Sequence, residues 1–436
     1  MGEENKFETY QFSNGFRLVW QNTPSETIFA NLRINCGALH EKDGEEGIAH
    51  FLEHMLIEGG TDKYTPEEQA KIRDGLRTNA FTSRERTIFP CGMNALDLES
   101  YLNMVSQMVF FPRLDKKVLE QQKKVVEREI AIKKGTADFE DIVNFFWKNM
   151  ARDRDHTYFV LGEEKVIGEV TEDKLREFHC RGYSPNNMSL MLAGRVPENI
   201  IGRVAPYFSD KSQGSGRAVE LSRVGFLEEK EVRYSSAKDL SNKDNPDESN
   251  SHFMLGIVVP DEFHSDSATL EVIAEILGKS WTTGLKKRIR SEEGLAYDIG
   301  SSYSGDKKFG YLIIQGKIKS REQEKVIKMT FEELDKLKNY KADVGDVSNA
   351  KKRAAYKTVN GLSDSFGELV KIDPVNVSAI AKMDYELEGR VPVRDKLEQI
   401  EKVTPEKILR VAKDYLPCDR ETGKYVMLVR DPFKED

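Results

Sequence analysis

The chain has 436 residues, of which 39% are hydrophobic and 32% carry a charge, as in typical globular proteins. Its net charge of -8 argues against nucleic acid and against an anionic membrane as partners. The sequence contains no stretch of about 18 apolar residues, so it predicts no transmembrane helix. We recognise no signal peptide, and the four cysteines are scattered, which together predict a cytoplasmic protein with reduced thiols.

The first notable feature is a helix with two histidines. Residues 7–36 alternate between apolar and polar types and predict short strands. Residues 47–56 then carry apolar side chains at helical spacing and predict a largely buried helix that contains His50, Glu53 and His54. Histidines four residues apart project from one face of a helix, and a carboxylate beside them can take a proton from water. This H-x-x-E-H pattern predicts a zinc site, although a histidine on an apolar helix is more often a hydrogen-bonded core residue.

A catalytic zinc ion needs a third protein ligand, which must come from elsewhere in the chain. Residues 79–82 and 87–89 read as short strands, and two helices are predicted at about 95–110 and 115–150. The second helix is amphipathic and offers Glu120, Glu127 and Glu129. Spacing alone does not choose among these three glutamates.

Two segments of similar order indicate an internal duplication. A capped helix start at Thr171 leads to Tyr183, a proline and an apolar strand, and the same order recurs from Thr404 through Tyr415. The two copies are about 230 residues apart, which predicts two homologous domains. We place them at residues 1–208 and 219–436, joined by a polar, glycine-containing linker at 209–218.

The second half contains a helix at residues 268–277 in the position that corresponds to the histidine helix. This second helix carries no histidine. The sequence therefore predicts one metal site per chain, in the first half.

Taken together, the motifs resemble those of the pitrilysin, insulin-degrading enzyme and mitochondrial processing peptidase family, in particular its short two-domain members. The resemblance implies an α+β fold of two homologous domains, each with an antiparallel-rich sheet flanked by helices. It implies that His50, His54 and Glu129 bind one Zn²⁺ per chain and that Glu53 is the general base. Glu129 stands where the family has its ligand glutamate, and Glu127 is the less favoured register.

Three further segments carry the resemblance or depart from it. Asn79, Ala80, Phe81 and Thr82 are similar to the family's N-A-x-T strand, which pairs with the substrate backbone. Arg290 and Tyr297 are similar to an R-x₆-Y element, which implies contacts with the substrate carbonyl and the developing oxyanion. Many members of the family carry a glutamate seven residues before the ligand glutamate, where this chain has Gln122. We expect this change to weaken zinc affinity or to tune activity.

The resemblance implies a zinc-dependent endopeptidase that hydrolyses peptides or unfolded segments enclosed in a chamber. Longer members of the family enclose the chamber with four such domains, so a two-domain chain would need a second chain. We expect a homodimer or a heterodimer with a related subunit, in which Arg290 and Tyr297 act on the partner's zinc site. The alternative is a non-catalytic or weakly active partner subunit of a heterodimeric peptidase. The physiological substrate and the cleavage specificity stay open.

Overall fold

The computed structural model describes residues 7–135, 160–209, 250–280, 282–305, 310–339, 343–360, 373–387, 389, 391–418 and 425–429. These residues form helices and sheets in two compact units. The first unit takes the described residues up to Ser209 and adds one helix from later in the chain. The second unit takes the other described residues. The predicted linker at 209–218 lies outside the described residues except for Ser209.

The first part of the chain alternates between strands and helices. Its elements are, in chain order, β1 (Glu8–Gln11), β2 (Arg17–Asn22), β3 (Thr27–Ile34), α1 (Ile48–Glu58), α2 (Pro66–Asp74), β4 (Arg77–Thr78), β5 (Phe81–Thr82), β6 (Thr87–Asn94), α3 (Leu98–Phe110), α4 (Lys116–Gly135), α5 (Glu164–Gly168), α6 (Glu172–Gly182), β7 (Met188–Gly194) and α7 (Ile200–Phe208).

The later part of the chain begins with a strand and is richer in helix. Its elements are β8 (Asn250–Val259), α8 (Ser267–Lys279), a π-helical segment (Lys286–Glu292), β9 (Ala296–Gly305), β10 (Gly310–Lys319), α9 (Gln323–Asn339), α10 (Val344–Asn360), α11 (Pro374–Leu387), α12 (Val393–Glu401), α13 (Pro405–Tyr415) and β11 (Tyr425–Val429). Among the described residues, no helix is both long and apolar enough to cross a membrane.

The sheet of the first unit is covered on both faces. Its strand order is β1-β2-β7-β3-β6-β4, with β5 also paired to β6, and only the β2–β7 pair is parallel. Helices α1 and α3 bury their apolar sides in the main core on one face. Helix α11 covers the other face, where Val377, Ile380 and Met383 join a second apolar cluster with Phe29 and Met191 of the sheet. Burial on both faces explains why β3 and β7 are apolar along most of their length.

The sheet of the second unit repeats the centre of the first. Its order is β11-β8-β10-β9, and every pair is antiparallel. The first sheet has β7-β3-β6 followed by the short edge strands β4 and β5, which is the same order, and the buried helices α1 and α8 follow the corresponding strands β3 and β8. Thr171 and Thr404 begin the corresponding helices α6 and α13, and each side chain accepts the backbone N–H of the residue three positions on. This common arrangement supports the predicted duplication.

Two elements differ from the sequence-based expectation. The predicted strand at residues 79–82 is interrupted, because the Asn79 side chain accepts the Ala80 N–H at 2.9 Å and only Phe81 and Thr82 form β5. Helix α11 comes from the second half of the sequence but packs on the first sheet. The predicted helix at 115–150 is described as α4 to Gly135, and its remainder lies outside the described residues.

Candidate metal centre

Helix α1 carries the histidines, and its first turn has no room for a side chain at Gly47. Gly47 caps the helix with φ of 96°, a left-handed conformation that favours glycine. A Cβ atom there would lie 2.6 Å from Gly162 Cα. Before the helix, the carboxylate of Glu41 accepts the backbone N–H of Gly47 at 3.0 Å and of Ala49 at 2.9 Å. These contacts satisfy N–H groups that the first helical turn leaves unpaired.

The side chains of His50, His54 and Glu129 converge. Their ligand atoms lie within 4.8 Å of one another. The two Nε2 atoms are 3.3 Å apart, and Glu129 Oε2 lies 3.8 Å from the Nε2 of His50 and 3.7 Å from that of His54. Two ligands about 2.05 Å from a tetrahedral ion would lie about 3.3 Å apart. Two imidazoles and one carboxylate therefore fit a zinc ion, with a fourth position left for water.

Gln122 determines which nitrogen of His54 faces this centre. Its amide oxygen Oε1 lies 3.1 Å from His54 Nδ1. An amide oxygen can only accept a hydrogen bond, so Nδ1 carries the proton and Nε2 keeps its lone pair. The lone pair is on the atom that lies beside His50 and Glu129, as a metal ligand requires. The residue that departs from the family pattern thus still orients the histidine.

Glu53 lies on the same helix with its carboxyl enclosed. The residue is 7% exposed, and burial raises its pKa above the ordinary value of 4.5. The Thr82 hydroxyl donates to Glu53 Oε2 at 2.5 Å, and this bond together with the nearby His54 opposes the effect of burial. Sequence reasoning placed Thr82 on the substrate strand and missed this contact. The helical pattern alone gives no signal for it, because β5 meets α1 only in the folded chain.

The segment from Asn79 to Thr82 lies at the edge of the first sheet. Phe81 and Thr82 pair with β6, while Asn79 donates its backbone N–H to Pro90 O at 3.1 Å. Asn79 is exposed, Phe81 and Thr82 are half-buried, and Ala80 is buried. The structure therefore brings this segment next to Glu53 through Thr82.

Arg290 and Tyr297 belong to the second unit. Arg290 lies on the π-helical segment, and its Nη1 is 3.5 Å from Asp298 Oδ1. Tyr297 is near the start of β9 and is 76% exposed. Within the second unit, the described residues contain no further cluster of histidine, cysteine or acidic ligands like that of His50, His54 and Glu129.

Comparison with known families covers most of the chain. Residues 17–144 match the family described as "Insulinase (Peptidase family M16)", and residues 169–354 match the "Peptidase M16 inactive domain". The chain belongs to the M16 peptidase family. The resemblance found in the sequence is thereby confirmed, and the half that carries the histidines corresponds to the M16 domain that is not described as inactive.

Relatives of this M16 chain have names that refer to zinc. An "uncharacterized zinc protease" of Bacillus subtilis, YmxG, is 27% identical over 347 residues, which are 79% of this chain and 81% of the relative. An "uncharacterized zinc protease" of Streptomyces coelicolor is 24% identical over 407 residues, 92% of this chain and 85% of the relative. Family membership and these names support a peptidase function.

Solved structures share the fold over nearly the whole chain. A protease from Helicobacter pylori superimposes with a TM-score of 0.81 at 18% identity and covers 98% of this chain and 100% of its own. The first half of the periplasmic protease PqqL from Escherichia coli gives a TM-score of 0.75 at 16% identity, covering 99% of this chain and 93% of its own. The predicted α+β class is thus confirmed. At these identities the likeness concerns the fold.

Proposed function

We propose that this M16 chain is a zinc-dependent endopeptidase in which His50, His54 and Glu129 hold one zinc ion and Glu53 is the general base. The observation that carries the proposal is the convergence of three ligand atoms within 4.8 Å, beside the enclosed carboxyl of Glu53 on the helix that carries the two histidines. The names of the relatives add independent support for zinc and for proteolysis.

The chain's own residues divide the chemical work. When bound, the zinc ion supplies a Lewis acid that polarises a scissile carbonyl and acidifies water. The Thr82 hydroxyl holds Glu53 Oε2, which leaves Oε1 to take a proton from water and deliver it to the leaving amine.

Substrate binding is proposed for the sheet edge and for the second unit. Asn79, Ala80, Phe81 and Thr82 would pair with an extended substrate, because an edge strand offers backbone groups to a peptide. Arg290 and Tyr297, acting from a partner chain, would stabilise the oxyanion once the substrate is enclosed in the chamber.

The proposal is tested by measuring bound zinc and the hydrolysis of a quenched-fluorescence peptide library. Wild type should contain about one zinc per chain and lose activity with a chelator. Glu53→Gln should keep the metal but lower kcat about 100-fold or more, because the proton acceptor is gone. Metal-free wild type, or equal rates in all three samples, would contradict the proposal.

The choice of Glu129 as third ligand has a matched control on its own helix. Glu129→Gln should lower zinc affinity on the order of 100-fold or more, since one of three protein ligands is lost. Glu127→Gln removes the same charge two residues away and should bind zinc as wild type does. Equal effects of the two substitutions would refute the assignment.

The alternative function, a non-catalytic or weakly active partner subunit, makes the opposite prediction for isolated protein. Such a subunit would bind zinc at His50, His54 and Glu129 but would not cleave peptides unless a related subunit were added. The same hydrolysis assay therefore separates the two functions.

A further inference from the structure

Helix α11 is the one described element of the first unit that comes from the second half of the sequence. It covers the face of the sheet opposite to α1 through Val377, Ile380 and Met383. Polar side chains hold it at both ends, and the two ends contact different parts of the first unit.

The N-terminal end of α11 is attached to the start of β3. The Thr27 hydroxyl donates to Asp373 Oδ2 at 2.5 Å, and the Thr23 hydroxyl donates to Asn376 Oδ1 at 2.5 Å. These contacts lie at the end of the sheet that is away from the Thr82–Thr87 pair, because Thr27 pairs with Asn94 at the far end of β6. They dock the helix without touching the candidate site.

The C-terminal end of α11 carries a buried carboxylate that contacts the sheet and the turn after β5. Asp384 Oδ1 lies 2.6 Å from Arg33 Nη1 on β3, and Asp384 Oδ2 lies 3.0 Å from Arg86 Nη2. The side chains of Asp384 and Arg33 are each 6% exposed, and that of Arg86 is 19% exposed. A buried carboxylate with a cation on each oxygen is held in one orientation, because leaving either charge unpaired is costly.

Arg86 lies in the turn that joins β5 to β6, at residues 83–86. Within this turn the Ser83 N–H donates to Arg86 O at 2.8 Å. On one side, the N–H of Ala38 donates to Ser83 O at 3.1 Å and the N–H of Leu39 to Arg84 O at 2.7 Å. Asp384 holds the turn through the Arg86 side chain, so the turn is fixed by two separate sets of contacts.

The turn directly follows Thr82, the residue that holds Glu53. The Thr82 hydroxyl also lies 3.3 Å from the Thr87 hydroxyl, which donates to Cys36 O at 3.0 Å. Because the turn fixes the register of β5 against β6, it fixes where the Thr82 hydroxyl and the free edge of β5 lie.

We propose that Asp384 and Arg86 are positioning residues that hold the substrate-binding edge and Thr82 in place through the turn at residues 83–86. The proposal rests on the proposed peptidase function and adds to it a role for a helix from the second half of the sequence. Asp384 contacts Arg33 on β3 and Arg86 in the turn, so we expect the pair to act on the substrate edge.

The test uses Arg86→Gln, which removes the tie to the turn but leaves the ion pair between Asp384 and Arg33. Arg86→Lys is the conservative variant, since a lysine still places a cation beside Asp384 Oδ2. The matched control is Arg203→Gln. Arg203 also pairs with a carboxylate, that of Glu99, and its side chain is 28% exposed, but it lies on α7 and contacts α3.

Two readouts are combined in the full-length, zinc-loaded protein. Hydrogen exchange of the segment from Phe81 to Ile88 should be about tenfold faster in Arg86→Gln than in wild type, because the turn opens more often. The kcat/KM for peptide hydrolysis should fall about tenfold, mainly through KM, because a displaced edge binds substrate less well. Zinc content should not change. Arg203→Gln should match wild type in both readouts, and Arg86→Lys should recover most of the loss.

Two outcomes would overturn the proposal. Equal losses of kcat/KM in Arg86→Gln and Arg203→Gln would mean general destabilisation. Unchanged exchange of the segment in Arg86→Gln would mean that the ion pair does not hold the edge. If wild type cleaves no peptide, the proposed peptidase function fails, whereas the exchange experiment still decides whether Asp384 and Arg86 fix the edge.

Discussion

At the scale of single residues, Gln122 shows how a change of charge can preserve geometry. Its amide oxygen accepts from His54 Nδ1 at 3.1 Å and so selects the form of the imidazole whose Nε2 can bind a metal. A glutamate there would accept the same hydrogen bond with a full negative charge. A carboxylate partner makes an imidazole more basic, and a more basic imidazole binds a metal more tightly.

We therefore expect Gln122→Glu to bind zinc about tenfold more tightly than wild type. The measurement is competition with a chromogenic chelator at fixed pH. Gln121→Glu is the control, because it adds the same charge at the neighbouring, exposed position of α4. If both variants tighten binding equally, the cause is long-range charge and not the hydrogen bond to His54.

At the scale of elements, α1 depends on residues outside the helix. Glu41 accepts two backbone N–H groups at its start, and Thr82 on β5 holds Glu53 in its middle. Enclosure of the Glu41 carboxyl raises its pKa from the ordinary 4.5 to about 8, although the two N–H groups favour the charged form. The helix that carries the histidines is thus capped by a group that titrates near neutral pH.

This raised pKa predicts a pH dependence of folding stability. Between about pH 4.5 and pH 8 the folded chain holds a proton on Glu41 that the unfolded chain has lost, so this contribution to stability decreases as pH rises. Glu41→Gln should flatten the decrease in urea midpoint measured from pH 5 to pH 8. Asp43→Asn, at an exposed position of the same loop, serves as control and should keep the wild-type slope. An unchanged slope in Glu41→Gln would contradict the prediction.

At the scale of the whole molecule, the two units contribute different parts of the proposed chemistry. The predicted ligands and general base lie in the first unit, while Arg290 and Tyr297 lie in the second. Tyr297 is 76% exposed, so its side chain is accessible to a second chain. The proposed dimer, in which each second unit serves the partner's zinc site, therefore has a direct test.

Glu53→Gln and Tyr297→Phe chains should each be nearly inactive alone and should recover activity when they are mixed and allowed to exchange subunits. Random pairing leaves one intact site in about half of the dimers, which corresponds to about a quarter of wild-type activity. The control mixes Glu53→Gln chains with chains that carry both Glu53→Gln and Tyr297→Phe. This mixture can form no intact site, because every chain lacks Glu53. If the first mixture stays inactive, action between two identical chains is excluded.

Much of this protein follows from the sequence by itself, because the determining signals are local. Apolar spacing places His50, Glu53 and His54 on one helix, and threonine caps at Thr171 and Thr404 mark corresponding helices. The resemblance to a family predicts Glu129 as the third ligand, although helical spacing does not distinguish it from Glu120 or Glu127. The family and the α+β class could also be predicted, because the motifs that carry the resemblance are short segments of the sequence.

Only the tertiary structure decided which distant residues meet at the candidate site and at the neighbouring sheet edge. Three side-chain contacts join elements that are far apart in the chain. They are the hydrogen bonds of Thr82 with Glu53 and of Gln122 with His54, and the ion pair of Arg86 with Asp384. A local pattern cannot specify them, because they depend on strand register and on which face a helix covers. The placement of α11 on the first sheet is the clearest case, since its apolar side would fit any exposed sheet face, and its polar ends find their partners only in the folded first unit.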